Sequence, residues 1–403
     1  MVINMEKKNI IYLVSFVILF VILGVCLFYN SVDNNQLLDG VDQDSILVNS
    51  EDNVLPDNYN DNGVFNDYYE LAYNKLNELS LEEKIGQLLL VRYPEKNGIE
   101  LLKEYGFGGY VFYERDFKDK TKIQVQNMIK DLQRSSEIPI ITAVDEEGGK
   151  VVRISSNSNL RDTPFLSSSE LYDLGGFDRI SDDTKEKSKL LKSLGINVNL
   201  APVVDVSTEE NDYIYDRTLK EGTSLVSDYA RTVILGSKGT GVSYTLKHFP
   251  GYGNNTDTHL GSVSDNRSLE DIISNDIPPF EAGIKAGAEA VLVSHNIVNS
   301  IDMANPASLS LNVHSLLRDD LDFTGVIIAD DLSMEAISGI VDAAVFAVKA
   351  GNNLIITGDY EESFDSIKMS IEEGELTEEE IDKLVFKVLA WKYYKGLMFQ
   401  NIK

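Results

Sequence analysis

Eight short apolar runs, separated by stretches of helical character, constrain this chain more than any other feature. They are Gln87–Val91, Gly109–Tyr113, Pro139–Val144, Val198–Val204, Val242–Leu246, Ala290–Val293, Gly325–Ala329 and Asn353–Thr357. Each is rich in β-branched or aromatic residues and has the length of a strand buried on both faces. Between them lie helical patterns such as Ile123–Ser135, Thr184–Leu194, Val226–Lys238 and Pro279–Ala286. Gly195, Gly241 and Gly287 follow helical segments as C-cap glycines would. Eight strand–helix repeats predict an α/β fold, a (β/α)8 TIM-like barrel. The alternative, a doubly wound open sheet, would usually carry a glycine-rich phosphate loop after its first strand. The segment after Val91, RYPEKNG, has none.

The barrel is expected to occupy residues 67–403 as a single catalytic domain. Upstream, Ile10–Tyr29 is an uncharged apolar run of 20 residues. At about 1.5 Å per residue it spans a hydrocarbon core of roughly 30 Å. Lys7 and Lys8 precede it and an acidic stretch follows. The run therefore reads as a transmembrane anchor behind a short cytoplasmic N-terminus, residues 1–9, with the rest of the chain outside the cell membrane. A cleaved signal peptide is the rival, but no small-residue cleavage site follows. Residues 30–66 read as an acidic disordered linker; from Ser31 to Asn66 there are eight acidic residues and no Lys or Arg.

Charge and composition exclude several functions. With 65 acidic residues against 36 basic ones, the chain carries a net charge of −29, which argues against a nucleic-acid partner. One cysteine, Cys26, allows neither an intramolecular disulfide nor a cysteine zinc site, and four histidines leave little for a multi-histidine metal cluster. Neither a metal nor an organic cofactor is expected.

Catalytic groups of such barrels sit where strands end. The third run ends in Asp145, Glu146 and Glu147, the fourth in Asp205, the fifth in Lys247 and His248, the sixth in His295, and the seventh in Asp330 and Asp331. Any one of these is as readily a solvated loop residue; five consecutive endings on one rim are harder to explain so. The stretch KHFPGYGNNTDTH, residues 247–259, pairs Asp257 with His259 in a Gly- and Pro-containing loop. A carboxylate beside an imidazole orients the ring, sets its tautomer and raises its pKa, as general acid/base work requires. A carboxylate nucleophile from another strand end, Asp330, would complete the minimum for retaining glycoside hydrolysis.

These stretches, with VDEEGGKVVR (144–153), NLAPVVDV (199–206), VSHN (293–296) and GVIIADDLSME (325–335), resemble glycoside hydrolase family 3, in its β-N-acetylglucosaminidase and β-N-acetylhexosaminidase branch. The resemblance runs through most of the expected barrel. It implies Asp330 as nucleophile, His259 as acid/base paired with Asp257, and sugar contacts from Asp145, Arg217, Lys247 and His248; Arg153 and His295 match two further family positions. It implies a carbohydrate substrate, a GlcNAc-containing glycan or muropeptide, handled by double displacement. A phosphorylase of the same family, a non-catalytic glycan-binding barrel and a metal-dependent amidohydrolase are the competing readings. The chain departs from the family at Ala329, where Ser is frequent, and at Asp216, whose charge beside Arg217 is expected to weaken that arginine's attraction for a carboxylate-bearing substrate. Asp205 reads as a structural residue, Glu146 and Glu147 as solvated, His314 as a surface residue and Tyr252 as a packing or lid contact.

Overall fold

The computed structural model describes residues 55–399. The expected cytoplasmic N-terminus, the anchor at 10–29 and the first part of the linker lie outside them. Among the described residues no helix is long and apolar enough to cross a membrane.

Eight strands close into a barrel in chain order: β1 Leu89–Arg92, β2 Gly109–Phe112, β3 Ile141–Val144, β4 Val198–Asn199, β5 Ser243–Phe249, β6 Ala290–Val293, β7 Val326–Ala329 and β8 Leu354–Thr357. Every neighbouring pair is parallel; Ala290 to Val293 of β6 register against Val326 to Ala329 of β7, and Leu89 of β1 pairs with Ile355 of β8. All four residues of β2, β3, β6, β7 and β8 are buried. Strands covered on both faces are what continuous β-branched runs specify. Each large aliphatic side chain so buried contributes about 1.5–3 kcal/mol by area.

The helices begin where their caps dictate. Thr121, Ser167 and Thr377 each accept from the backbone three residues on, while Gln124, Glu170 and Glu380 reach back to complete capping boxes. Gly195 adopts a left-handed conformation at a helix end, and Gly287 does so one residue past the cap. Gly241 is not a cap: its helix, Thr223–Ser237, ends at Lys238.

Two further expectations change. The fifth strand does not stop at Leu246 but carries Lys247 and His248 inside it, with an irregularity in its pairing to β6 between Leu246 and Phe249. The linker is shorter at its C-terminal end than residue 66. Phe65 is fully buried, and Tyr59 packs edge-on against Phe386, with centroids 5.0 Å apart, on the helix Glu378–Tyr394. The few aromatics of this acidic stretch, Tyr59 and Phe65, are what hold its end on the barrel.

Candidate active site

A cavity of about 430 Å³ opens among the loops after the strands' C-terminal ends. Asp145, Arg153, Arg217, Lys247, His248, Asp257, His259 and Asp330 all line it, from four different strand ends. The order of the barrel brings together residues far apart in the chain, which is how this fold assembles sites.

One wall is an ion cluster. Lys247 Nζ lies 2.6 Å from Asp145 Oδ1 and 2.7 Å from Glu147 Oε1. Arg217 donates two bonds to Glu147, from Nε at 3.0 Å and Nη2 at 2.8 Å. Burial opposes ionisation of Glu147, but Arg217 and Lys247 outweigh it and hold the carboxyl below its ordinary range. The same exchange of burial against Asp145 and Glu147 keeps Lys247 raised and protonated. Glu147 is thus no solvated residue; its charge keeps two cations together in the cavity. Asp216, expected to weaken Arg217, instead bonds Lys150 and Lys220. The carboxylate that occupies Arg217 is Glu147.

Glu146 is also fully buried. Its carboxylate accepts from the backbone N–H groups of Arg153 at 2.9 Å and Ile154 at 2.7 Å, so it folds the loop that delivers Arg153. Arg153 lies over the Tyr113 ring, 5.9 Å from its centroid, and its Nε has no partner.

His248 is fixed from both sides. Its Nδ1 is 2.8 Å from Asp205 Oδ2, and its Nε2 is 3.2 Å from Arg217 Nη2. A guanidinium only donates, so Nε2 accepts and Nδ1 donates to Asp205. Asp205 Oδ1 also accepts from Tyr252 N–H at 2.6 Å. It supports β5 and the loop after it, a structural role as expected.

That loop carries the Asp257–His259 pair. His259 Nδ1 lies 2.7 Å from Asp257 Oδ1, which also accepts the His259 backbone N–H at 2.9 Å. For Asp257, burial is outweighed by these two bonds and by the Tyr213 hydroxyl, and the carboxyl stays below its ordinary range. Tyr252, buried as expected of a packing residue, places its hydroxyl 2.9 Å from both Thr258 Oγ1 and Thr258 N, stapling the loop from below. The His259 side chain itself remains 60% exposed, which leaves Nε2 accessible.

Asp330 directly follows β7, its N–H bonded to Val293 O at 3.0 Å. Burial would raise its pKa, but His295, the Asp331 backbone N–H at 2.8 Å and Lys247 lower it. The carboxylate is therefore ionised, as a nucleophile must be.

His295 does not line the cavity. It is fully buried, with Nε2 donating to Asp331 O at 3.0 Å and Nδ1 2.7 Å from Ser308 Oγ. It supports the backbone of the Asp330–Asp331 turn instead of meeting a sugar. His314 is likewise buried, not on the surface; its Nδ1 donates to Ser310 O at 2.8 Å, one helical turn back. Its short helix, Leu311–Ser315, packs on the helix Ala343–Ala350, with Gly351 beside the ring.

Sequence reasoning missed Arg92, Tyr113 and Tyr213 as cavity residues; Asp331, expected on the rim beside Asp330, does line the cavity. Asp331 is bonded by Arg92 Nε and, at 3.1 Å, by the Tyr113 hydroxyl. The strand-end rule extended to the first two strands would have found Arg92 and Tyr113, since they close or follow β1 and β2. Among the described residues no cluster of His, Cys, Asp or Glu is arranged to hold a metal ion.

The family model described as the glycosyl hydrolase family 3 N terminal domain matches residues 80–391. A beta-hexosaminidase of Xylella fastidiosa (strain M23) is 30% identical over 247 residues, 60% of this chain and 72% of the relative. Among solved structures, a glycoside hydrolase family 3 beta-N-acetylglucosaminidase from Paenibacillus sp. str. FPU-7 superposes with a TM-score of 0.74 at 29% identity. That match covers 79% of this chain and 63% of the Paenibacillus chain, so this chain spans somewhat less than two thirds of that protein. M tuberculosis LpqI gives 0.72 at 28% identity, covering 79% of this chain and 95% of its own. With the family's domain matched across nearly the whole barrel, this chain belongs to glycosyl hydrolase family 3.

Proposed function

We propose that the chain is a retaining exo-β-N-acetylglucosaminidase acting on GlcNAc-terminated glycans such as those of cell walls. One observation carries the reading: an ionised Asp330 and the Asp257–His259 pair line the same cavity from different strand ends. Asp330 attacks the anomeric carbon while His259, protonated at Nε2, gives its proton to the departing oxygen. A glycosyl ester on Asp330 forms. His259 then takes a proton from water, whose oxygen displaces Asp330 and restores the β-configuration. Asp257 holds Nδ1–H and stabilises the imidazolium. Lys247, held by Asp145 and Glu147, and Arg217 beside it present N–H groups to the sugar hydroxyls. The names of the relatives, a beta-hexosaminidase and a beta-N-acetylglucosaminidase, support the N-acetylhexosaminide class of substrate.

The reading includes a membrane anchor at 10–29 that places the barrel outside the cell, supported by the uncharged run and the preceding Lys7 and Lys8. Water, rather than phosphate, is then the acceptor. A chromogenic β-N-acetylglucosaminide, assayed with and without inorganic phosphate, tests the reaction. Release of free β-GlcNAc in both supports hydrolysis; a sugar phosphate appearing with phosphate would make the chain a phosphorylase, and no release would remove the assignment.

A further inference from the structure

The loop bearing Asp257 and His259 rests on three residues that do not line the cavity. Its turn needs Gly251 at φ +124° and Gly253 at φ +61°. A Cβ on Gly251 would approach Asp276 Oδ1 to 2.5 Å, and one on Gly253 would approach Arg267 Nη2 to 2.5 Å. The turn backbone therefore lies directly on the side chains of Asp276 and Arg267, at a distance only glycine permits.

Arg267 in turn is held by two carboxylates, each 1% exposed. Nε and Nη2 meet Asp265 Oδ2 at 3.0 and 2.8 Å, and Nη1 meets Asp276 Oδ2 at 2.7 Å. Asp265 also accepts the Arg267 backbone N–H at 2.9 Å. It belongs to a two-residue ladder, Ser264–Asp265 against Ile297–Val298, that ends the loop. Asp276 stands at the start of the helix Ile277–Lys285. One guanidinium thus touches the beginning of the loop at Gly253, its end at Asp265, and the outer helix layer. Bidentate and charge-assisted bonds of this kind fix orientation as well as contributing energy.

We propose that Arg267, clamped by Asp265 and Asp276, is a positioning residue: it closes the base of the 253–265 loop and so sets where His259 stands over the cavity. The proposal rests on the reading of His259 as the acid/base. Between the closed base and the Tyr252–Thr258 staple, the exposed imidazole moves with the loop rather than independently of it. Without the clamp the loop retains its Asp257–His259 bond but loses its seat. The expected defect is in proton delivery, not in binding of the sugar.

The test uses the full-length protein and two variants, Arg267→Gln and the isosteric Asp265→Asn. Hydrogen–deuterium exchange should accelerate at least tenfold in peptides covering 250–263 and stay unchanged in the barrel strands. Hydrolysis of a disaccharide, whose leaving alkoxide needs a proton, should fall at least tenfold. The burst of dinitrophenolate from a dinitrophenyl glycoside, which reports glycosylation alone and whose leaving group needs no proton, should slow less than threefold, and inhibition by GlcNAc should be unaltered. Unchanged exchange in the loop, exchange rising throughout the barrel, or equal losses on both substrates with weaker GlcNAc binding would each overturn the clamp. Should Arg267→Gln not fold, Asp265→Asn decides by the same readings. His259→Ala in the same assay separates the two ideas. If it too loses equally on both substrates, the acid/base reading fails, while loop exchange still reports on the clamp.

Discussion

Glu147 and Arg217 form a two-pronged ion pair within the cavity wall, with Glu147 5% and Arg217 16% exposed. Lys247 shares the same carboxylate, bonding Oε1 at 2.7 Å. Removing the anion leaves two neighbouring cations with Asp145 as their remaining acidic partner.

Glu147→Gln should therefore destabilise the fold by about 3 kcal/mol, the scale for breaking a buried pair from one side. Glu147 is held below its ordinary 4.5, so its stabilisation is complete above that pH and is lost as pH falls. Denaturant titrations at pH 7 and pH 3.5 should show a larger wild-type advantage at pH 7. An advantage equal at both values would mean that the pair contributes nothing through charge.

Asp330→Ala should abolish turnover by more than a thousandfold and leave the thermal midpoint nearly unchanged, because the side chain stands at a strand end facing the cavity. Activity surviving within tenfold, a barrier change of about 1.4 kcal/mol, would assign the nucleophile elsewhere.

His259→Ala should slow disaccharide hydrolysis far more than glycosylation by a nitrophenyl glycoside, and azide should rescue breakdown of the accumulated intermediate. Asp257→Asn should act in the same direction but less severely, since it loses the carboxylate that orients Nδ1 at 2.7 Å while the ring remains. Equal losses without rescue would make His259 a binding residue.

Lys392 is fully buried, with Gln87 Oε1 at 2.5 Å as its hydrogen-bond acceptor. Burial pushes its pKa down to about 7 from 10.5. Between those values the unfolded chain binds a proton that the folded one does not, so this residue's penalty shrinks as pH rises. Thermal melts of wild type and Lys392→Met at pH 6.5 and pH 9.5 should show the wild type gaining on the variant at the higher pH. A pH-independent difference would remove Lys392 as the titrating group.

Protease added to intact cells should release an active fragment cut upstream of Leu55, because Phe65 and Tyr59 tie the following residues to the barrel. Recovery of the barrel only after lysis would contradict the outside placement.

The barrel was legible in the sequence because both faces of each strand are covered: burial on two sides demands uninterrupted apolar runs, and all eight runs became strands. The rim was legible for a related reason. An ionisable residue ending such an apolar run marks the rim, which is how Asp145, Lys247 and Asp330 could be picked out, although β5 itself runs on through Lys247 to Phe249. What a side chain does after leaving the core depends on neighbours a hundred residues away. Glu147 reads as solvated until Arg217 and Lys247 are seen to converge on it; Asp205 has no visible partner until β5 brings His248 beside it. His295 resembles a sugar contact by its strand-end position, yet only the packing of β6 against β7 turns its ring onto the Asp331 carbonyl and away from the cavity. Local pattern reports how much of a segment is buried, whereas pairing of charges across the barrel is a property of strand order and register, which no single segment encodes.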